Sequence, residues 1–308
     1  MIASILEMND IEAMREKGRA PRVLPEYEPH PSGLLTLRVG SEFVYSSPGE
    51  TPAILQIEPH RNSDAKVLRE KWEITPSVRS HVYGDSFSNR CRRVTLPPGQ
   101  TTMRYDALVE VSAHPDVVVP EANIALVQNL PDEALLFTLA SRYCQSDSLS
   151  NDAWNLFANT PPTWARVQAI CDWAHQNVIY VSGCSTPETT ALDVYNSQQG
   201  ICRDFAHIGV TLCRAMNIPA RYCFGYMPDI GVELPDVAMD FHAWFEVYLG
   251  GKWHTFDARH NVPRIGRVPI ARGRDAVDCA MVTTYGAAIL EKMTVWADEA
   301  TEDDWKAF

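Results

Sequence analysis

The sequence lacks the apolar run of about 18 residues that a membrane-spanning helix requires. Its first residues include acids where a secretory signal peptide has a basic end and an apolar stretch. It also lacks a basic block, since 27 Lys and Arg residues stand against 39 Asp and Glu residues, for a formal net charge of −12. Such a charge makes nucleic acid and anionic membranes poor partners. We therefore expect a cytoplasmic protein that binds neither.

The eight cysteines lack the arrangement of a metal site, because there is no CxxC pair and no cluster with zinc-finger spacing. The 308 residues are enough for about two domains with cores of their own, so the fold has no need of disulfides. In a reducing compartment most of these cysteines are expected to be small buried hydrophobic residues. The remaining question is whether one of them is a nucleophile.

The composition divides the chain into three parts. Residues 1–31 have an apolar pattern over residues 5–14 followed by several prolines, and we interpret them as an N-terminal extension. Residues 32–115 alternate apolar and polar positions between turn clusters, which predicts short strands in a small β-sandwich with a supporting or partner-binding role. Residues 116–308 contain helix patterns and the residue types of a catalytic site, so we assign catalysis to this part.

A helix is predicted over residues 202–216, where apolar residues recur at helical spacing before Pro219. Cys202 lies at its N-terminus and Asp204 in its first turn. A helix N-terminus favours negative charge, so this position is expected to lower the pKa of the Cys202 thiol. The backbone N–H of Cys202 is also a suitable donor to an oxyanion. Gly200 would let a substrate backbone approach closely.

Two strand patterns joined by Gly250-Gly251 predict a tight hairpin. In the register of a two-residue turn, His242 pairs with Arg259 and Trp244 pairs with Asp257, and all four project from one face. His242 and Asp257 are then diagonal neighbours, about 7–8 Å apart at the backbone and within side-chain reach. An aspartate there holds one ring nitrogen of the histidine and leaves the other free to serve a thiol.

These positions predict a set of Cys202, His242 and Asp257, whose residue types suit a nucleophile, a base and the group that orients the base. A metal hydrolase built on His242, His254 and His260 is the weaker interpretation. His254 has the opposite strand parity to His242, and the sequence has no HExxH motif. We therefore expect no metal.

Three ordered motifs resemble the transglutaminase-like superfamily. They are Gly200-Ile-Cys202-Arg-Asp, Phe241-His242-Ala-Trp244-Phe-Glu-Val-Tyr and Trp253-His-Thr-Phe-Asp257. The chain is most similar to bacterial transglutaminase-like cysteine proteases with an N-terminal β domain, and the resemblance covers about residues 34–286. It implies an α+β fold with a papain-like core, in which the helix bearing the cysteine packs on an antiparallel sheet bearing the histidine and the aspartate. A small β-sandwich domain precedes this core.

The resemblance implies that Cys202 is the nucleophile, His242 the base and then the acid, and Asp257 the orienting group, with no cofactor. It also implies that Tyr180 helps to shape the site. We expect Trp244 to form a wall of the cleft, together with Gly200 and Asp204 near the nucleophile. After the aspartate, many relatives have Pro-Thr where this chain has Ala258-Arg259. Arg259 and His260 either bind an acidic group or are solvated.

The reaction implied is cysteine-dependent amide hydrolysis by a peptidase, amidase or deamidase, through an acyl-thioester. The alternative is a transamidase or acyltransferase of transglutaminase type with the same triad, and a non-catalytic scaffold is a third interpretation. The chain has no EF-hand-like run and lacks the length of the calcium-responsive animal enzymes, which argues against protein crosslinking of that type. The substrate is expected to be a peptide, a protein or a small amide, and a homo-oligomer is left open.

Overall fold

The computed structural model describes residues 28, 30–61, 65–233 and 238–308. The apolar pattern over residues 5–14 and nearly all of the extension 1–31 lie outside these described residues. The N-terminal strands are β1 (Leu34–Ser47), β2 (Thr51–Leu55), β3 (Lys66–Thr75), β4 (His81–Gly84), β5 (Arg90–Leu96) and β6 (Gly99–Ser112). The first helices are α1 (Asp132–Leu135), α2 (Ser150–Phe157) and α3 (Trp164–Asn177), with 3-10 turns at Val127–Asn129 and Leu136–Thr138.

The second half of the chain alternates helices and strands before it returns to strands alone. Its elements are β7 (Ile179–Tyr180), α4 (Ala191–Ser197), β8 (Gln199–Gly200), α5 (Cys202–Ala215), β9 (Ala220–Tyr226), β10 (His242–Leu249), β11 (Lys252–Phe256), β12 (Val268–Gly273), β13 (Val282–Thr284), β14 (Ile289–Glu299) and α6 (Glu302–Lys306). Among the described residues, no helix is both long and apolar enough to cross a membrane.

Two four-stranded antiparallel sheets form the N-terminal β region, in the orders β14-β1-β6-β3 and β13-β2-β5-β4. Strand β1 alternates buried and part-exposed residues, with Leu37, Val39 and Phe43 in the core. The last two strands of the chain complete these sheets, because β13 pairs with β2 and β14 pairs with β1. The domain boundary at residue 115 stays a prediction, and residues 282–299 belong structurally with strands of the N-terminal region.

The α+β core consists of helix α5 packed on the antiparallel sheet β11-β10-β9-β12. Helix α5 is buried from Asp204 to Ala215, and helices α2, α3 and α4 also pack against it. A close approach between the helix and the sheet requires Gly209, where a Cβ atom would lie 2.5 Å from Cε1 of Phe245. The predicted α+β fold, with a cysteine-bearing helix on an antiparallel sheet and an N-terminal β region, is confirmed.

The predicted hairpin forms in the predicted register over its paired length. Leu249 lies opposite Lys252, and Phe245 lies opposite Phe256. Gly250 and Gly251 have φ angles of 57° and 84°, the positive values that a two-residue type I′ turn requires at both positions. Strand β11 ends at Phe256, so the predicted pairings of His242 with Arg259 and of Trp244 with Asp257 are wrong.

Candidate active site

Cys202 is the first residue of α5 and is half-buried. The buried Asp204 holds the chain just before it, because one carboxylate oxygen accepts the N–H of Ile201 at 2.8 Å and the hydroxyl of Ser185. The other oxygen accepts from Arg203 at 3.1 Å. Asp204 therefore caps the helix and fixes the position of the cysteine, which gives it a structural role instead of the predicted place in the cleft.

Gly200 is buried, and its backbone pairs in parallel with Tyr180. A Cβ atom at Gly200 would lie 2.8 Å from Cβ of Asp204. The glycine is therefore required by the capping aspartate packed against it. The prediction that Gly200 lets a substrate backbone approach is corrected, because the side chain of Asp204 occupies the space beside it.

His242 and Asp257 form a buried hydrogen bond, with Nε2 of the histidine 2.8 Å from Oδ2 of the aspartate. Three further donors hold the same carboxylate. Arg267 donates to Oδ2 at 2.9 Å, and the backbone N–H groups of Arg259 and His260 donate to Oδ1 at 3.1 Å each. These two backbone hydrogen bonds turn the chain at Asp257, so β11 ends just before it.

The charges around this pair set the protonation state of His242. Burial alone would raise the pKa of Asp257, but His242, His260 and Arg267 hold it well below its usual range. Burial lowers the pKa of His242, and Asp257 only partly opposes this effect. The histidine is therefore neutral at physiological pH. Because the carboxylate accepts the proton on Nε2, the lone pair lies on Nδ1.

Cys202 begins the helix that packs on β10, the strand that begins at His242, and the backbone N–H of Ala243, the next residue, is close enough to act on the pKa of the thiol. Burial raises the pKa of this thiol, while Arg259 and the Ala243 N–H act in the opposite direction. The predicted lowering of the pKa by the helix N-terminus is therefore wrong in its net direction, because burial outweighs it. The resting pair is a neutral thiol and a neutral imidazole.

Two of the other predicted cleft residues lie at the nucleophile. The guanidinium of Arg259 stacks on the ring of Tyr180, 3.8 Å from its centroid, and its charge acts on Cys202. Burial raises the pKa of the half-buried Tyr180. Trp244 is only 1% exposed and lies under Arg267, 5.0 Å from its ring centroid. The expectation that Trp244 forms a wall of the cleft is corrected, because its side chain belongs to the core.

Two further residues support the pair: sequence reasoning missed Arg267, and it placed His260 near the site without this role. Arg267 bridges Asp257 and Asp116, with Nε 2.8 Å from the second carboxylate. The imidazole of His260 stacks on that of His242, with ring centroids 4.5 Å apart and planes 9° apart. His260 lies three residues after the aspartate, which was a visible signal. Arg267 is brought in by a loop whose path the local pattern does not show.

His242, Asp257 and His260 offer ligand atoms within 4.8 Å of one another, which raises the question of a metal. The donor set fits poorly, because Arg267 already occupies the carboxylate and Nη1 of Arg264 lies 3.3 Å from Nδ1 of His260. Two guanidinium groups at this distance oppose a divalent cation. His254 is outside the group and contacts the carbonyl of Leu249 instead. The geometry suits a histidine oriented by hydrogen bonds.

A helix that begins with a cysteine, packed on an antiparallel sheet that leads into the histidine and the aspartate, defines a class of cysteine-dependent enzymes. The model of the transglutaminase-like superfamily matches residues 155–258. The crystal structure of a "putative cysteine protease" from Cytophaga hutchinsonii is 34% identical, with a TM-score of 0.80 over 88% of this chain and 92% of that chain. The chain belongs to the transglutaminase-like superfamily.

Two mycobacterial relatives extend this comparison without adding an activity. An uncharacterized protein of Mycobacterium leprae is 27% identical over 248 residues, which are 77% of this chain and 88% of that protein. An uncharacterized protein of Mycobacterium tuberculosis is 25% identical over 202 residues, 60% of this chain and 64% of that protein. The fold and the Cytophaga hutchinsonii neighbour together support a cysteine-dependent enzyme.

Proposed function

We propose that this protein is a cysteine-dependent amide hydrolase with Cys202, His242 and Asp257 as its catalytic triad. The observation that carries the proposal is the buried hydrogen bond between His242 and Asp257, at the start of the strand on which the helix bearing Cys202 packs. The carboxylate fixes the tautomer in which Nδ1 is free to accept a proton. A neutral thiol beside a neutral imidazole is the arrangement from which general-base attack starts.

In the first half-reaction, Nδ1 of His242 takes the proton from Sγ of Cys202 as the sulfur bonds to the amide carbonyl carbon. The carbonyl oxygen becomes an oxyanion, for which the N–H of Cys202 is the proposed donor, because first-turn N–H groups have no intrahelical acceptor. The carbon–nitrogen bond then breaks, and the imidazolium gives its proton to the leaving amine or ammonia. The acyl group remains on the sulfur as a thioester.

In the second half-reaction, His242 takes a proton from water, and the oxygen attacks the thioester carbonyl. The carbon–sulfur bond breaks, the thiolate recovers the proton, and a carboxylic acid leaves. Transamidation uses the same steps with an amine in place of water. Water access and pocket shape decide between the two outcomes. The substrate is proposed to be a peptide, a protein or a small amide.

The proposed location is the cytoplasm, and the cysteines support it. All eight are free thiols, seven of them buried or half-buried. Disulfides persist mainly in oxidising compartments, so this usage fits a reducing one. Cell fractionation of the native host with an antibody to the protein tests this part of the proposal.

Acylation of the enzyme by p-nitrophenyl acetate tests the triad. We expect a burst of p-nitrophenol and one acetyl group on Cys202, located by peptide mass spectrometry. Cys202→Ala should abolish the burst, and His242→Ala should slow it by roughly 100-fold or more. Cys184→Ala is the control, because Cys184 is the exposed thiol. Acetylation of Cys202 no faster than that of Cys184 would contradict the proposal.

The fate of the acyl group separates hydrolysis from transamidation. Peptides with internal amides and side-chain amides are incubated with the enzyme, with and without glycine ethyl ester, and their products are weighed by mass spectrometry. We expect carboxylic acid products in both mixtures. Amine adducts that dominate in the second mixture would move the assignment to a transamidase. An intact burst with no product from any amide would restrict the enzyme to esters.

A further inference from the structure

Arg259 presents a positive charge that the protein itself does not pair. The three other arginines around the site are paired: Arg203 with Asp204, Arg264 with Asp229 and Arg267 with Asp116. Among the residues that the structure describes, no carboxylate lies within the 4.0 Å ion-pair distance of the Arg259 guanidinium. A partly buried cation without a counter-ion is costly unless a ligand supplies one.

The side chain of Arg259 is held in place although its charge is unpaired. Its backbone carbonyl accepts from Nδ1 of His175 at 2.8 Å, and its backbone N–H donates to Asp257. The guanidinium lies over the ring of Tyr180, with Cζ 3.8 Å from the ring centroid. Its Nε atom is buried and has no hydrogen-bond partner. The result is an ordered planar donor with unused hydrogen-bonding capacity, the geometry that binds a carboxylate in a bidentate manner.

The position of this group connects it to the reaction. Arg259 follows Asp257, the partner of His242, by two residues, and its guanidinium stacks on Tyr180, which pairs with Gly200 two residues before Cys202. Its charge opposes the effect of burial on the pKa of the Cys202 thiol, and it also acts on the exposed Asp240 from beyond the ion-pair distance. The guanidinium therefore faces the space beside the nucleophile. We infer that Arg259 is a specificity residue that binds a carboxylate group of the substrate next to the amide that Cys202 attacks. This inference rests on the proposed function and names the class of substrate.

Paired alkylating reagents test the inference at Cys202. Iodoacetate carries a carboxylate and iodoacetamide its neutral amide, and both react with the same thiolate. The ratio of their rate constants at Cys202, measured by peptide mass spectrometry, therefore cancels any change in the pKa of the thiol. We expect the iodoacetate-to-iodoacetamide ratio to fall by about tenfold in Arg259→Gln. It should stay at the wild-type value in Arg203→Gln, a matched control that removes a paired arginine next to the nucleophile.

Added salt separates direct binding from the general field of the protein. At 0.5 M NaCl, a bidentate contact keeps most of the difference between wild type and Arg259→Gln, whereas long-range attraction is screened. An equal ratio in both proteins, or a difference that disappears in salt, overturns the inference. Absence of the p-nitrophenyl acetate burst together with a ratio that still depends on Arg259 would sink the proposed function and keep the carboxylate site. A normal burst together with an unchanged ratio would do the reverse.

Two carboxylate sources share this chemistry, a free peptide C-terminus and an acidic side chain. N-acetyl-glycylglycine carries only the first, and N-acetyl-glutamate α-amide carries only the second. Each is tested for its ability to slow alkylation of Cys202 by iodoacetamide, against its fully amidated analogue. We expect protection by one of them that is lost in Arg259→Gln, which identifies the source. Protection no better than that of the neutral analogues would show that the site serves no substrate carboxylate.

Discussion

Asp257 determines which nitrogen of His242 carries the proton. Its Oδ2 accepts from Nε2, and its Oδ1 is occupied by two backbone N–H groups. The carboxylate cannot rotate without losing several hydrogen bonds. Its position therefore imposes the tautomer with a free Nδ1, on which the proposed reaction depends.

Replacing Asp257 with asparagine should reverse this tautomer. The carbonyl oxygen of the asparagine would accept the two backbone N–H groups, so its NH2 group would face His242. The imidazole would then accept that NH2 at Nε2 and carry its own proton on Nδ1. We expect the acylation rate with p-nitrophenyl acetate to fall by roughly 100-fold to 10,000-fold. Asp106→Asn is the control, because Asp106 is also a buried carboxylate, held by Arg38 and Arg104 away from the site. A similar loss of rate in both variants would refute the orienting role.

The hairpin β10–β11 shows how far local pattern predicts an element. The Gly250-Gly251 turn sets the register, and Leu249 lies opposite Lys252 as that turn requires. The same reasoning failed for Arg259, because it assumed that β11 continues. The strand stops where Asp257 accepts two backbone N–H groups, an interaction that side-chain parity does not contain. The two side chains of His242 and Asp257 still meet, because the hairpin brings them close even though Asp257 lies one residue beyond the end of β11.

Helix α5 and strand β10 meet too closely for a side chain at position 209. We expect Gly209→Ala to lower the free energy of unfolding by about 1–3 kcal/mol, because its Cβ atom would overlap the ring of Phe245. This would occur although alanine is the better helix former by about 1 kcal/mol. Urea unfolding followed by tryptophan fluorescence measures the change.

A second substitution tests whether Phe245 is the cause. Phe245→Leu in the Gly209→Ala background should recover part of the lost stability relative to the sum of the single changes. Gly49→Ala is the control, since a Cβ atom there meets nothing within 4 Å. Additive effects of the two substitutions would show that the strain lies elsewhere.

At the scale of the whole molecule, the first and last strands of the described residues pair in a way that no local pattern reveals. The residue types of the triad could be read from motif order and hairpin register. The pairing of β14 with β1, and the arrival of Arg267 at Asp257, depend on contacts between segments far apart in sequence. Trp244 was misplaced for the same reason. The alternation along the strand predicts the face from which Trp244 projects, but the local sequence does not show that Arg267 covers this face.

Four buried histidines should make the whole fold sensitive to mild acid. Burial is the largest cause that lowers the pKa of each, and they are His60, His207, His242 and His260. An unfolded histidine binds a proton near pH 6.5, whereas these remain neutral when folded. Between the two pKa values the unfolded chain holds more protons, so stability rises with pH and is lost as the pH falls below about 6.5. Asp257 contributes nothing to this window, because a depressed carboxyl pKa acts only below its ordinary value near 4.

Urea unfolding at pH 7.0, 6.0 and 5.0 measures the effect. Each histidine contributes up to about 1.4 kcal/mol per pH unit, so the loss should exceed that of a single group. His207→Phe should reduce the slope by about one proton, because the His207 ring packs 5.1 Å from Tyr143 and 5.0 Å from Tyr222 without a role in the triad. Tyr222→Phe is the control, since it alters the same packing and removes no histidine. A wild-type stability that does not change over this range would mean that the histidines are protonated in the folded protein, and His242 would then lack the lone pair that the proposed mechanism requires.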